Sequence, residues 1–147
     1  MTIGHSAGFG RRFAALAYDL VLLAALGLIY TSIALFLCPG HRALLPENIG
    51  LVWTSLYRAG LLGLIGGYYI VNWTRSGQTL GMRAWRIHAV SEAGRPLTGT
   101  QALRRFAWGA LAWLPAGIGV LWLYMDPEHL AVHDRLSRTR VVHVVRP

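Results

Sequence analysis

Phe13 to Leu37 is a predominantly apolar run whose only charge is Asp19. As a helix, at about 1.5 Å per residue, it reaches across a hydrocarbon core roughly 30 Å thick with some tilt. Leu51 to Trp73 repeats the pattern with Arg58 as its only charge, and Phe106 to Met125 forms a third run with Pro115 in its middle. These runs predict an all-α polytopic membrane protein, a single membrane domain over residues 1–147 with spans at about 13–37, 51–73 and 106–125. The third run reads either as one kinked helix or as a segment broken at Pro115, two half-length helices that enter and return. The re-entrant form needs protein or water to satisfy its backbone. Arg11 and Arg12 ahead of the first run invite a signal-peptide reading. The run is too long for a signal core and holds Asp19, so a retained span is expected. Cys38 follows bulky Leu37, where a lipoprotein signal needs a small residue, and a lone cysteine forms no internal disulfide.

Composition agrees with the pattern. Hydrophobic residues are 54% of the chain and charged residues 14%, against about 25% charged in soluble domains. All 14 basic residues are arginine, and the net charge is +8. Such a charge raises nucleic acid as a partner. The arginines, however, lie between apolar runs rather than along one polar face, so a lipid bilayer is the expected partner and nucleic acid is not. The loop from Thr74 to Arg105 holds Arg75, Arg83, Arg86, Arg95, Arg104 and Arg105, whereas the loop from Pro39 to Gly50 holds Arg42 against Glu47. Arginine-rich loops stay inside. The N-terminus and second loop are therefore expected in the cytoplasm of a bacterial cell, with the protein multi-pass in the inner membrane. The tail is ambiguous on this rule: Asp126 and Glu128 follow the third run, but Arg135, Arg138, Arg140 and Arg146 favour the inside.

The second loop has structure written into it. Trp85, Ile87 and Ala89 alternate with Arg86, His88 and Val90, as in a short strand. Ser91 to Gly94 supplies turn residues, so a surface hairpin or an ordinary connecting loop fits. Thr98 and Gln101 have capping-box spacing and predict a helix start. Within the spans, Ala59, Gly63 and Gly67 form a small-residue stripe that lets backbones approach, and Gly60 and Gly66 broaden the groove. Packing against the first span is the preferred reading, with homodimerisation as the competitor. Tyr68, Tyr69, Trp73, Trp108, Trp122 and Tyr124 sit near span ends, as interfacial anchors do.

Asp19 is the most informative residue. A central aspartate costs at least about 2.5–3.5 kcal/mol on insertion scales and is a functional candidate by default. Arg12 lies about two helical turns before it on the same face. A structural Arg12–Asp19 pair is the competing reading. Arg58 falls near the opposite end of its span and snorkels outward. His129 and His133 have helical i, i+4 spacing, but no further ligand is spaced to complete a metal site. No metal, cofactor, nucleophile motif or phosphate loop is expected, and no enzymatic activity.

Taken together, these residues resemble the RDD family of small bacterial membrane proteins. Arg12-Phe-Ala-Ala-Leu-Ala-Tyr-Asp19 matches its first signature, and Gly77-Gln78-Thr79-Leu-Gly81 its segment after the second span. Gly94-Arg-Pro-Leu followed by Ala102-Leu-Arg104-Arg105 matches the stretch before the third. His133-Asp134-Arg-Leu-Ser and Thr139-Arg-Val-Val142 match the C-terminal signature. Met82 stands where the family often has a basic residue, and Arg138 where it commonly has glycine. The resemblance implies that Arg12, Asp19 and Asp134 are the named charges. If they act together the tail must lie inside, which favours a broken third run. The resemblance also implies transport, including cation/proton exchange, by an oligomer, since so few spans make no pathway alone. The alternative is a non-transporting accessory or assembly subunit of a larger membrane complex.

Overall fold

A computed structural model describes residues 2–37, 51–113 and 132–145. With no internal proline to break it, the first apolar run forms one helix, α1 (Phe9–Leu37), which also takes in Arg11 and Arg12. Its most apolar stretch has mean hydropathy 2.5 and is only 6% buried inside the protein, so α1 is long and apolar enough to cross a membrane. Hydroxyls within it return to their own helix: Thr31 Oγ1 donates to the Gly27 carbonyl at 2.7 Å and Ser32 Oγ to that of Leu28 at 2.8 Å. Bonded this way, they are tolerated in an apolar surround.

The second run forms α2 (Leu51–Arg75). It lies antiparallel to α1: Tyr30 meets Tyr57, Gly27 meets Leu61 and Asp19 meets Tyr68. Small residues do permit close approach here, at the two glycines expected to broaden the groove rather than at the regular stripe. The Tyr30 hydroxyl lies where a Cβ on Gly60 would be, and a Cβ on Gly66 would sit 3.3 Å from the Phe106 ring. At Gly63 and Gly67 an added Cβ meets nothing within 4 Å among the described residues, and Ala59 is exposed. A helix turns about 100° per residue, so a one-residue offset moves the contact to a different face. The expected stripe of Ala59, Gly63 and Gly67 is thus corrected to Gly60 and Gly66 as the contact within the chain.

α2 ends where Ser76 caps it. The Ser76 N–H and Oγ both donate to the Asn72 carbonyl, at 3.0 and 2.9 Å. Gly77 then turns the chain at φ +68°, a left-handed conformation that glycine adopts without steric penalty. A short helix, α3 (Leu80–Ala84), leads into β2 (Ile87–Ser91). Helix α4 (Gly99–Trp113) starts at the expected capping box: the Gln101 N–H donates to Thr98 Oγ1 at 3.3 Å and the Thr98 N–H to Gln101 Oε1 at 3.1 Å. The described chain resumes with α5 (Val132–Leu136) and β3 (Thr139–Val145). Cys38, Pro115, Trp122, Tyr124 and His129 lie outside the described residues, as does the question of whether the third run breaks.

The fold is not all-α. A strand at each end of the chain, β1 (Thr2–Ser6) and β3, joins β2 in an antiparallel sheet of order β1-β3-β2. The expected alternation in the second loop is real: Ile87, Ala89 and Ser91 are buried and His88 and Val90 less so. The hairpin is not. After Gly94 turns at φ +73°, Pro96 has no N–H to give a ladder, and β2 pairs instead with valine-rich β3, from Ile87↔His143 to Ser91↔Thr139. His88 flanks this pairing, and burial together with Arg83 lowers its pKa. The core gathers at one end of the helix pair, where Ala7, Ala15, Trp73, Met82, Ile87, Ala89, Leu97, Ala102 and Val141 pack together. Met82 is buried there, which accounts for an apolar residue at that position.

The turn into β3 places Arg138 at φ +53°, with its side chain exposed. A left-handed non-glycine residue carries roughly 1–2 kcal/mol of strain. Arg138→Gly is therefore expected to stabilise the protein by about 1 kcal/mol, since glycine's extra unfolded-state entropy offsets part of the relief. A thermal melt of the purified full chain that shows no rise in midpoint would refute this account of the turn.

Candidate functional site at the joint of helices and sheet

The core end of the helix pair holds both signature aspartates, in separate networks. Asp19 faces out of α1 toward the segment after α2 and is 2% exposed. Its Oδ1 accepts from Tyr68 Oη at 2.7 Å and from the Gly81 N–H at 2.8 Å, and its Oδ2 from Thr79 Oγ1 at 2.5 Å. Hydrogen bonds to a charged group are each worth about 1.5–3 kcal/mol. Three of them are of the size needed to offset an insertion cost of about 2.5–3.5 kcal/mol.

Four of the five residues of the Gly-Gln-Thr-Leu-Gly segment have a place in this arrangement. Gly77 ends α2, and its carbonyl receives the Ala89 N–H at 2.8 Å. Gln78 Nε2 donates to the Ile87 carbonyl at 2.9 Å, tying the segment to β2. Thr79 N-caps α3 by accepting from the Met82 N–H at 3.1 Å while it donates to Asp19. Gly81 lies against α1, and a Cβ there would run into the Ala15 carbonyl oxygen. The carboxylate thus sits at the first turn of α3, where amide protons point outward.

Asp134 anchors the tail. It is fully buried, at 0% exposure, between two arginines. Its Oδ2 pairs with Arg12 Nη1, and its Oδ1 accepts from Arg105 Nη1 at 2.6 Å. Arg12 also donates through Nε to the Ala7 carbonyl at 2.8 Å, which fixes the link from β1 to α1. Arg105 Nη1 further donates to Thr139 Oγ1 at 2.6 Å, and Thr139 shares a 2.7 Å bond with Ser137. The guanidinium of Arg105 lies 5.1 Å from the centre of the Trp73 ring, a cation–π geometry. Arg12 therefore pairs with Asp134, and the Arg12–Asp19 pair is not formed. Two turns of helix separate the latter two, and each has nearer partners on other elements.

Arg105 belongs to the centre of this site, although its sequence neighbourhood marks it only as part of a basic loop. The signal was available. From the capping box at Thr98 the helical period brings Ala102, Arg105 and Phe106 to one face and leaves Arg104 exposed, as observed. Tyr68, Tyr69 and Trp73 also read differently here. Tyr68 holds Asp19, while Tyr69 packs between Trp73 and Phe106 at 5.1 and 6.2 Å. Of Tyr68, Tyr69, Trp73 and Trp108, only Trp108 has an exposed, anchor-like position. Between the networks lies a cavity of about 120 Å³ whose wall includes Arg12, Asp19, Arg105, Tyr69, Trp73 and Phe13.

Asp134→Asn leaves two buried guanidinium groups facing a neutral amide. Breaking a buried ion pair from one side costs about 3–5 kcal/mol, so the variant is expected to lose that much stability. Gly81→Ala is expected to be destabilising as well, because the obstacle is backbone and cannot move aside. Chemical unfolding of each variant in detergent measures both. A loss below about 1 kcal/mol for Asp134→Asn would show the pair to be solvated.

A family model described as the RDD family matches residues 6–138. Neither the curated proteins nor the solved structures contain a match to this chain. The matched range runs from the end of β1 to the turn before β3 and so includes both aspartates, both partner arginines and the Gly77–Gly81 segment. With an apolar helix of membrane-spanning length near its N-terminus, this chain belongs to the RDD family.

Proposed function

We propose that the protein is a non-transporting membrane subunit, built to present a fixed surface to a larger assembly in the bacterial inner membrane. The observation that carries this reading is the saturation of the signature carboxylates. Both oxygens of Asp19 and both of Asp134 are bonded to groups of this chain. An ion-exchange site has to release such oxygens in every cycle, whereas a structural clamp keeps them occupied. Among the described residues, nothing covers the apolar flank of α1 or the face at Gly63 and Gly67, which suits contact with lipid or partner helices.

The topology that goes with this reading has α1 and α2 crossing the bilayer, with the N-terminus, second loop and tail together in the cytoplasm. It is supported by the joining of β1, β2 and β3 in one sheet and by the arginine-rich character of that end. A compartment-sensitive reporter fused to the C-terminus is expected to signal cytoplasm. A periplasmic signal would contradict the arrangement.

A second reading, cation/proton exchange by an oligomer, is favoured by the presence of Asp19 on the cavity wall. Reconstitution separates the two. The assembly reading expects no pH-gradient-driven cation flux above protein-free vesicles, and recovery of other membrane proteins with the tagged chain from native membranes. Flux that disappears in Asp19→Asn, or recovery of the chain alone, would overturn it.

A further inference from the structure

Helix α3 is held against α1 by one face and turns another outward. Gly81 and Met82 are buried, Gly81 against the Ala15 carbonyl and Asp19. Leu80, Arg83 and Ala84, at i, i+3 and i+4, are exposed on the other side. Trp85 and Arg86 follow at the corner where the chain turns into β2, with Arg86 at φ +53°, and both are exposed. Leu80 and Trp85 are each 44% exposed. Two large apolar side chains thus stand among two guanidinium groups on one short outer surface.

The depth of this surface follows from its contacts with α1. The headgroup layer of a bilayer is roughly 5–8 Å deep on each side. Measured along α1 from exposed Arg11, at about 1.5 Å per residue, that layer ends near Ala15. Ala15 and Asp19 are the residues of α1 that Gly81 touches, so α3 lies level with the boundary between headgroups and acyl chains. The charge there has one sign. Among the described residues Arg83 and Arg86 have no ion-pair partner. Asp19, beneath α3, is 2% exposed and has both oxygens bonded. Glu92 stands beyond the far end of β2, roughly 20 Å along the strand from Arg86.

We infer that α3 and its corner form an in-plane anchor on the cytoplasmic leaflet, with Leu80 and Trp85 at the boundary layer and Arg83 and Arg86 on the headgroups of anionic phospholipid. An indole suits that layer because one end of it is apolar and the other carries an N–H. A guanidinium matches a phosphate through two parallel N–H bonds. The charge argues for anionic rather than zwitterionic lipid, since only a negatively charged surface attracts arginines that have no counter-charge of their own. The inference rests on the topology proposed above, in which α1 crosses the bilayer with its N-terminal end inside. It also gives the bonds from Thr79 and Gly81 to Asp19 a second consequence, because they set the height on α1 at which α3 meets the lipid.

Two measurements on the full chain test this. In a Cys38→Ser background, a nitroxide on Ala84→Cys reports depth in vesicles of phosphatidylcholine and phosphatidylglycerol. Its ratio of collisions with oxygen and with a nickel chelate is expected to fall between reference labels on Glu92→Cys, in water, and Val21→Cys, in lipid. A ratio equal to that at Glu92, or a label shielded from both probes by protein, would overturn the anchor. A C-terminal reporter outside the cytoplasm, with the Ala84 label still between its references, would instead overturn the topology and with it the assigned leaflet. Native mass spectrometry from mixed micelles, with phosphatidylglycerol competing against phosphatidylcholine, reads the charge. Arg83→Gln and Arg86→Gln are each expected to lower the preference for phosphatidylglycerol about fivefold, the effect of one arginine near an anionic surface. Arg95→Gln, exposed near the far end of β2, is expected to leave it unchanged. No loss in the first two, or an equal loss in all three, would overturn the headgroup contact.

Discussion

A carboxylate with no exposure to solvent, held between two guanidinium groups, is the constraint on which this architecture rests. Asp134 is fixed by Arg12 at the head of α1 and by Arg105 in α4. Those arginines are in turn fixed by the Ala7 carbonyl, Thr139 and the Trp73 ring. Among the described residues the cluster sets these two arginines against one aspartate, beside the Trp73 ring. Such clusters are not strong sources of net stability, since desolvation consumes most of the Coulomb attraction. Their effect is to exclude alternatives: any arrangement that separates the tail from α1 leaves buried charge without a counter-charge. That penalty brings chain ends distant in sequence into one sheet.

Asp19 works by a different chemistry toward the same end. Among the described residues it has no ionic partner, and it is held by a phenol, a hydroxyl and a main-chain amide. Arg12 and Asp19 lie about two turns apart on α1. One therefore fixes the tail and the other the segment after α2, and a single helix face organises both. This division explains why the cavity sits where it does. It is the space left where two networks with separate geometries meet, and its wall includes members of each. It also bears on function, because a cation entering at Asp19 would have to compete with three donors already bonded there.

Much of this was legible in the sequence, and the failures have physical causes. Helices α1 and α2 follow from long apolar runs without proline, and the start of α4 follows from Thr98 and Gln101, because capping is a local interaction. The strand at Ile87 to Ser91 was legible through its alternation. Its partner was not, because pairing with β3 is non-local and nothing in the loop specifies which backbone will complete it. Arg12 and Asp19 stood out as charges beside apolar sequence and Asp134 through the family resemblance, yet their pairing could not be read from spacing. The helical period places Arg12 and Asp19 on one face and says nothing of what approaches that face. Gly60 and Gly66 read only as broadening the more regular stripe at Ala59, Gly63 and Gly67, since regularity marks a surface that can pack and not the one that does within the chain.

The central claim is that Arg12 and Asp134 act as one unit that holds the tail against α1. A double-mutant cycle on Arg12→Met and Asp134→Leu, followed by chemical unfolding of the full chain in detergent, tests it most directly. The account predicts strong coupling: each single change strands a buried charge and costs several kcal/mol, roughly the 3–5 kcal/mol range, while the double change costs clearly less than their sum. Additive losses, within about 0.5 kcal/mol, would mean that the two side chains do not depend on each other, and the clamp described here would be wrong.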